Sequence, residues 1–144
     1  MIDQKTAPYA ALLLRLSLGV MFLTHSILLK VFVFTVPGTV QYFESLGLPG
    51  FTAYLTIGAE VLGGIALILG VQTRLVSVAL IPVLLGALWA HAGNGWVFSA
   101  QGGGWEYPLF LAVAAAVQAL IGDGALAVSK SLSLDEVKAK LNRA

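Results

Sequence analysis

The sequence predicts an all-α membrane protein: a four-transmembrane-helix bundle followed by a short amphipathic C-terminal helix. Hydrophobic residues make up 58% of the 144 residues and charged residues only 10%, whereas a soluble domain usually carries roughly 25% charged residues. The apolar residues fall in four blocks separated by short polar or Gly/Pro-rich interruptions. This pattern indicates several segments matched to a hydrocarbon layer rather than one core surrounded by water.

The first two predicted spans cover residues 8–33 and 50–69. Pro8 suits the start of a helix, because the N–H that proline lacks has no partner in the first turn. The second span follows a turn at residues 47–50, which contains two glycines and a proline. At about 1.5 Å per residue, both segments approach the roughly 30 Å of the hydrocarbon core.

The third and fourth predicted spans cover residues 74–90 and 106–121. Pro82 is expected to kink the third span, and Pro108 lies in the first turn of the fourth. Trp89, Trp96 and Trp105 lie at or between the ends of these two spans. Tryptophan is enriched where a helix leaves the hydrocarbon layer, which supports the placement of both boundaries.

Residues 1–128 are therefore predicted to form the transmembrane domain, and residues 129–144 a cytoplasmic amphipathic tail. In the tail, leucines and Val137 alternate with charged residues, and Ser133 with Glu136 three positions later resembles a capping box. With the N-terminus in the cytoplasm, all basic residues of the chain except Lys30 lie on the cytoplasmic side. The sequence thus predicts a multi-pass membrane protein with both termini cytoplasmic.

Composition excludes several classes of function. The chain has no cysteine, so disulfides, thiol catalysis and cysteine-ligated metal clusters within it are excluded. Its net charge of +1 and the lack of a dense basic run argue against nucleic acid as a partner. No helix carries a histidine closely spaced with a glutamate or a second histidine, as in H-x-x-E or H-x-x-x-H, so no metal site is predicted.

The informative residues are the ionisable ones inside the spans, because each charge at the bilayer centre costs about 2.5–3.5 kcal/mol on insertion scales. Counting along the helices places most of them in the middle or the outward half of the bundle. A shared polar cavity is the simplest geometry that accommodates them. The candidate ligand-binding or proton-relay residues are His25, Glu60, His91, Lys30, Glu106 and Arg15.

Helical spacing predicts which faces turn inward, because polar or small residues recur at steps of three or four. The predicted inward positions are Arg15, Gly19, Phe22, Ser26 and Lys30 on the first helix, Thr56, Glu60, Gly63, Gly64 and Leu67 on the second, and Tyr107, Leu111, Ala114 and Gln118 on the fourth. These side chains have two interpretations. Either Glu60 pairs with His25 or Lys30, and Arg15 with Gln118 or Asp123, simply to hold the helices together, or the group binds a ligand or moves protons.

An ordered set of short motifs, spread over residues 10–125, resembles the DoxX family of small four-span bacterial membrane proteins. They are residues 15–19 (RLSLG), His25 with Lys30, residues 47–49 (GLP), Ala59-Glu60, residues 69–74 (LGVQTR), His91, and Glu106-Tyr107. Ser26 stands where the family usually has glycine. The resemblance implies a four-helix fold in the inner membrane, and a link to quinone-coupled thiosulfate oxidation, to resistance against quinones and oxidants, and to membrane oxidoreductase complexes.

The leading functional hypothesis is an oxidoreductase-associated subunit whose cavity, around His25, Glu60 and His91, binds a small hydrophobic molecule such as a quinone. Whether the chain is itself an enzyme stays open at this point. The rival hypotheses are a non-catalytic protein that assembles with membrane partners, and a small transporter that dimerises to enclose a route. The expected partners are the lipid bilayer, a second copy packed through Gly- and Ala-rich faces, and membrane or peripheral oxidoreductase subunits.

Overall fold

The computed structural model describes residues 3–132 and residue 136, and within these residues the chain is helical apart from turns, loops and one isolated β-bridge. Helix α1 continues directly into a π-helix, and four further α-helices follow. Their bounds are α1 Ala7–Leu23, the π-helix Thr24–Val33, α2 Val36–Ser45, α3 Phe51–Leu69, α4 Thr73–His91 and α5 Glu106–Ile121.

Among the described residues, three helical stretches are long and apolar enough to cross a membrane: Ala7–Val33, Phe51–Leu69 and Thr73–Asn94. The fourth, Glu106–Ile121, is apolar and has 16 residues, which corresponds to about 24 Å of helix. The four predicted spans begin and end within one residue of α1 with its π-helix, α3, α4 and α5. The chain is therefore a helical membrane bundle, as the sequence predicts.

Helix α2 was not predicted from the sequence. It has only ten residues and begins with Pro37 and Gly38 in its first turn. The Thr35 side chain caps it by accepting a hydrogen bond from the Gly38 N–H, at 3.3 Å. Thr39 then donates from its hydroxyl to the Lys30 carbonyl, at 2.9 Å, so α2 folds back against the π-helix and against α3.

Close packing of glycines brings α1 and α3 together. A Cβ atom on Gly19 would lie 2.8 Å from the Gly64 carbonyl oxygen, and one on Gly64 would lie 3.0 Å from the Gly19 carbonyl oxygen. Only glycine permits so close an approach of two helix backbones. The core beside this contact is formed by Leu18, Phe22, Leu67, Leu80 and Leu84, with three alanines of α5.

The predicted inward faces are the buried or half-buried ones. The buried members are Arg15, Gly19, Phe22, Ser26, Glu60, Gly64, Leu67, Ala114 and Gln118, and the half-buried ones are Lys30, Thr56, Gly63, Tyr107 and Leu111. The helical spacing of small and polar residues therefore identifies the interior of the bundle correctly.

The chain after α5 returns along the end of the bundle where α1 begins and α3 turns into α4; we call this end the terminal end, and the opposite one the loop end. Backbone hydrogen bonds join Ala125 to Pro8, Val128 to Leu69 and Ser129 to Gly70. Residues 122–132, named the strap here, therefore cross the terminal end. Of the predicted amphipathic tail, residues 129–132 belong to the strap, and the rest lies outside the described residues apart from Glu136.

Candidate ligand-binding site

The π-helix determines which side chains face inward at the loop end. In an α-helix, residues five apart are about 140° apart around the axis, whereas a π-helix bonds residue i to residue i+5 and brings them onto the same side. The bond from the Phe34 N–H to the Leu29 carbonyl, 2.8 Å, has this spacing. His25 and Lys30 are also five apart, and both line the same cavity. Their placement on one wall follows from the π-helical winding.

This cavity has a volume of about 470 Å³ and is lined by residues from the π-helix and from all five α-helices. Four of the six predicted site residues line it: His25, Lys30, Glu60 and His91. Tyr107 of α5 adds a phenolic hydroxyl, and most of the remaining lining is apolar. The structure therefore contains the shared polar cavity that the sequence predicts for these four residues.

Lys30 and Glu60 form an ion pair on the cavity wall. The Lys30 Nζ atom lies 2.9 Å from Oε1 and 2.7 Å from Oε2 of Glu60. Their side chains are only 18% and 7% exposed, respectively, so each charge depends on the other for compensation. Of the two pairings that the sequence leaves open for Glu60, the structure shows the one with Lys30.

His25 is held by the backbone of its own helix. Its Nδ1 lies 2.9 Å from the Met21 carbonyl oxygen, and because a carbonyl only accepts, Nδ1 must carry the hydrogen. In the neutral ring, Nε2 is then the acceptor. The ring stacks on Tyr107 with a centroid distance of 5.7 Å and an interplanar angle of 25°, while the Tyr107 hydroxyl lies 3.4 Å from Met21 Sδ.

His91 is fixed in a similar way by the loop between α4 and α5. Its Nδ1 lies 3.0 Å from the Gly102 carbonyl and 3.1 Å from the Gly103 carbonyl, so Nδ1 is again the donor. The Asn94 amide donates to the same two carbonyls, at 2.9 and 3.0 Å. Both glycines have positive φ angles, 84° and 78°, which is why the loop can turn its carbonyls toward the histidine.

The other two predicted site residues, Arg15 and Glu106, do not line this cavity. Arg15 lies at the terminal end, 1% exposed, and donates from Nη2 to the Ala125 carbonyl at 3.2 Å. Glu106 accepts a hydrogen bond from the Phe98 N–H at 2.7 Å, at the start of α5. Both side chains therefore hold parts of the fold in place in the described structure.

Sequence reasoning did not single out Tyr42 and Asn94. Tyr42 reaches the cavity from α2, a helix that the sequence pattern does not reveal, so no spacing argument could place it. Asn94 lies just beyond α4, and its role depends on the path of the loop between α4 and α5, residues 92–105, which we call the glycine loop. Within residues 3–132 and 136, no three histidine, aspartate or glutamate side chains are grouped so as to hold a metal ion.

Comparison with known proteins gives evidence about the family of this chain that is independent of its structure. The DoxX family model matches residues 10–93, a segment that extends from α1 to the loop after α4 and contains His25, Lys30, Glu60 and His91. A protein of Bacillus subtilis (strain 168) named "Putative oxidoreductase CatD" is 38% identical over 84 residues, which make up 58% of this chain and 60% of that protein. No solved structure matches the chain. Because the family model covers more than half of the sequence, the chain belongs to the DoxX family.

Proposed function

We propose that the protein is an oxidoreductase-associated membrane subunit that binds a small hydrophobic molecule such as a quinone in the cavity at the loop end. The observation that carries this proposal is the convergence of His25, His91, Tyr107 and the Lys30–Glu60 pair on one largely apolar cavity. Its volume of about 470 Å³ lies in the usual range for small-molecule sites, roughly 300–1,000 Å³.

The polar groups suit a ring that bears carbonyl or hydroxyl oxygens. The Lys30 ammonium has three hydrogens, of which two are used by Glu60, and the Tyr107 hydroxyl can also donate. The free Nε2 atom of His25 or His91 can accept from a ligand hydroxyl when the ring is neutral, and can donate when it is protonated. The apolar lining would hold the ring, and the polar groups would fix its orientation.

Proton transfer is the chemical step that these residues can support. A bound quinone would supply the redox chemistry, taking up electrons together with protons. The Glu60 carboxylate and the imidazoles lie on the same cavity and can hold or release a proton beside the ligand oxygens. Because the chain has no cysteine, we infer that the electrons come from a partner protein rather than from a thiol or a cysteine-bound cluster in this chain.

The similarity to the Bacillus protein supports the redox part of the proposal, since the name of that protein describes an oxidoreductase. The matched segment covers 60% of that relative, so its activity is carried over here only as a proposal. We further propose four spans in the bacterial inner membrane with both termini cytoplasmic, supported by the length of the apolar helix α5, 16 residues, and by the bias of basic residues toward one side.

The first test is mass spectrometry of the small molecules that copurify with the protein in a mild detergent. The wild type is compared with His25→Ala and Glu60→Gln, and Glu106→Gln is the matched control because its carboxylate lies outside the cavity. We expect a lipid-soluble ring compound in the wild type and in the control, and its loss from the other two variants. Thermal unfolding measured in parallel separates loss of the ligand from loss of the fold.

A different result would favour the assembly hypothesis. The Lys30–Glu60 pair is satisfied within the protein, so it does not itself require a ligand. If the four extracts are indistinguishable, and a complex with partner membrane proteins survives alanine at both His25 and His91, the cavity is not a ligand site. The protein would then act by binding partners.

A further inference from the structure

A second cavity, of about 930 Å³, adjoins the first. The wall between them includes His25, Lys30, Tyr42, His91 and Tyr107, which line both cavities. Glu60 lines only the first cavity. The two volumes therefore meet at the polar groups, and a molecule whose oxygens lie at this wall can extend into both.

The part of the second cavity beyond the shared wall offers little to a polar molecule. Leu29, Phe34 and Phe98 provide apolar surface there. The Thr39 hydroxyl donates to the Lys30 carbonyl, and the Gly102 and Gly103 carbonyls accept hydrogen bonds from His91 and Asn94, as described above. A hydrocarbon chain fits such a lining better than a polar substrate, because it makes no demand for hydrogen bonds.

The second cavity also reaches the surface of the bundle. Phe34, at the end of the π-helix, is 58% exposed, and Phe98, in the loop between α4 and α5, is 68% exposed. Exposed phenylalanines on a membrane bundle are suited to contact with lipid. A chain leaving the cavity past these residues would meet further apolar surface at this end of the bundle.

We propose that the ligand of the loop-end site carries a hydrocarbon tail, with its ring in the first cavity and its tail in the second. This inference rests on the proposed function and specifies its ligand class as a tailed, lipid-soluble ring compound. The ring oxygens lie at the wall shared by the two cavities, and the tail passes between the π-helix and the glycine loop. The second cavity is thus part of the binding site, and it would select tailed ligands over tailless ones.

Two helical glycines allow the two cavities to be filled separately, and a third provides the control. Gly38 lines only the second cavity and Gly86 only the first, while Gly58 lines neither. A Cβ atom at Gly58 or Gly86 meets nothing within 4 Å, and at Gly38 it meets only the Thr35 Oγ1 atom, at 3.4 Å. Leucine favours helix more than glycine does, so all three Gly→Leu variants are expected to fold.

The experiment measures binding of two probes to each purified protein in lipid nanodiscs: a benzoquinone with a decyl tail, and the same ring without the tail. Each variant is compared with the wild type for one probe at a time, so that partitioning of the probe into lipid cancels. Gly38→Leu should weaken binding of the decyl probe by about tenfold or more, the size expected from a packing penalty in a filled cavity. The same variant should leave the binding of the tailless probe unchanged.

The other variants complete the test. Gly86→Leu should weaken the binding of both probes, and Gly58→Leu should weaken the binding of neither. If Gly38→Leu leaves binding of the decyl probe unchanged, the tail site is wrong while ring binding in the first cavity stands. If it weakens binding of both probes equally, the second cavity does not distinguish tail from ring, and the proposed placement of both is wrong. If Gly86→Leu weakens the binding of only the decyl probe, the proposed orientation of the ligand, with its ring in the first cavity, is wrong. If the wild type binds neither probe, the proposed quinone function fails, and the tail site fails with it.

Discussion

The first long helix carries one inward-facing cation near each of its ends, and their surroundings differ. Lys30, at the loop end, lies 2.7 Å from a Glu60 carboxylate oxygen beside an open cavity. Arg15, at the terminal end, is 1% exposed and donates to the Ala125 carbonyl. Its guanidinium also fills the position that a side chain on Gly70 would need. One cation thus borders free volume, whereas the other is enclosed by backbone.

The comparison shows that an ionisable residue inside a membrane bundle does not by itself mark a site. At the terminal end, Arg74 of α4 donates to the Ala119 and Leu120 carbonyls at the end of α5, at 2.7 and 2.8 Å. Within the strap, Asp123 accepts two hydrogen bonds from Ser131. These groups join chain segments to one another. At the loop end the polar groups instead converge on space that a ligand can occupy.

The largest expected effect comes from breaking the Lys30–Glu60 pair. Lys30→Met leaves the Glu60 carboxylate buried without its partner, and such losses usually cost about 3–5 kcal/mol in the free energy of unfolding. The double variant Lys30→Met/Glu60→Gln removes both charges and should recover most of that loss. Reversible unfolding in detergent measures both variants. If the single variant is as stable as the wild type, the pair does not hold the two helices together.

The second prediction concerns the terminal end. Gly70 has a φ angle of 71°, and an added Cβ atom would collide with the Arg15 Nη1 atom. Gly70→Ala should therefore lose about 2–4 kcal/mol in the free energy of unfolding, combining a left-handed backbone penalty with overpacking. Gly47→Ala is the matched control, because Gly47 has a φ angle of 81° and open space around it; it should lose about 1–2 kcal/mol.

The variant Gly70→Ala/Arg15→Met tests whether the guanidinium causes the collision. Methionine is flexible and uncharged, so the double variant should regain part of the stability that Gly70→Ala loses. A double variant whose loss is simply the sum of the two single losses would show that Arg15 and Gly70 are not coupled. The loss in Gly70→Ala would then come from the backbone conformation and from other neighbours of Gly70, not from the guanidinium.

The third prediction is a dependence of stability on pH at the strap. Burial tends to raise the pKa of the Asp123 carboxyl, but hydrogen bonds, including those from the Ser131 hydroxyl and N–H, outweigh burial and hold this pKa below its usual value. A carboxyl with a lowered pKa in the folded protein stabilises it above the ordinary pKa of about 3.9, and this contribution is lost as the pH falls through the lower, folded-state pKa.

Ser131→Ala should therefore cost about 1 kcal/mol at pH 7, and the difference from the wild type should shrink as the pH falls below about 4. Ser45→Ala is the control, because the Ser45 hydroxyl donates to the neutral carbonyl of Tyr42, and its effect should not change with pH. Unfolding measured at pH 7, 5 and 3 checks both variants. A Ser131→Ala effect that is equal at all three pH values would contradict the role of the Asp123 charge.

Much of this architecture could be predicted from the sequence, because the membrane imposes strong constraints on composition. A span needs a continuous apolar run, so the positions of α1, α3, α4 and α5 follow from residue type alone. The inward faces also follow, since small and polar residues are placed there at helical spacing. His25, Lys30, Glu60 and His91 line one cavity for a related reason, since each is too polar to face lipid; their role in binding a ligand or relaying protons stays a prediction.

The rest of the site depends on geometry that residue types do not encode. Apolar periodicity cannot distinguish an α-helix from the π-helical turns that bring His25 and Lys30 onto one wall. Arg15 and Glu106 satisfy the same polarity criterion as Lys30, but their partners, Ala125 and Phe98, are backbone groups supplied by loops. No side-chain pattern identifies such partners, so the sequence predicts candidates at both ends of the bundle, whereas only four of the six line the cavity.

The smallest expected effect on stability is also the one that best separates the roles of the two ends. Tyr107→Phe removes a hydroxyl whose contact is the Met21 sulfur at 3.4 Å, a weak acceptor, so the free energy of unfolding should change by less than about 0.5 kcal/mol. Tyr54→Phe is the control, because Tyr54 is 59% exposed and lines neither cavity. The same two variants are then measured for quinone binding in nanodiscs.

If the loop-end cavity binds a ligand that bears oxygens, loss of the Tyr107 hydroxyl should weaken binding about threefold to tenfold, the size of one hydrogen bond, with stability unchanged. The control should change neither quantity. Reduced stability without altered binding would make Tyr107 a packing residue, and the loop end would then resemble the terminal end. Altered binding at constant stability distinguishes the two ends, because Arg15 and the strap can only affect binding through the fold.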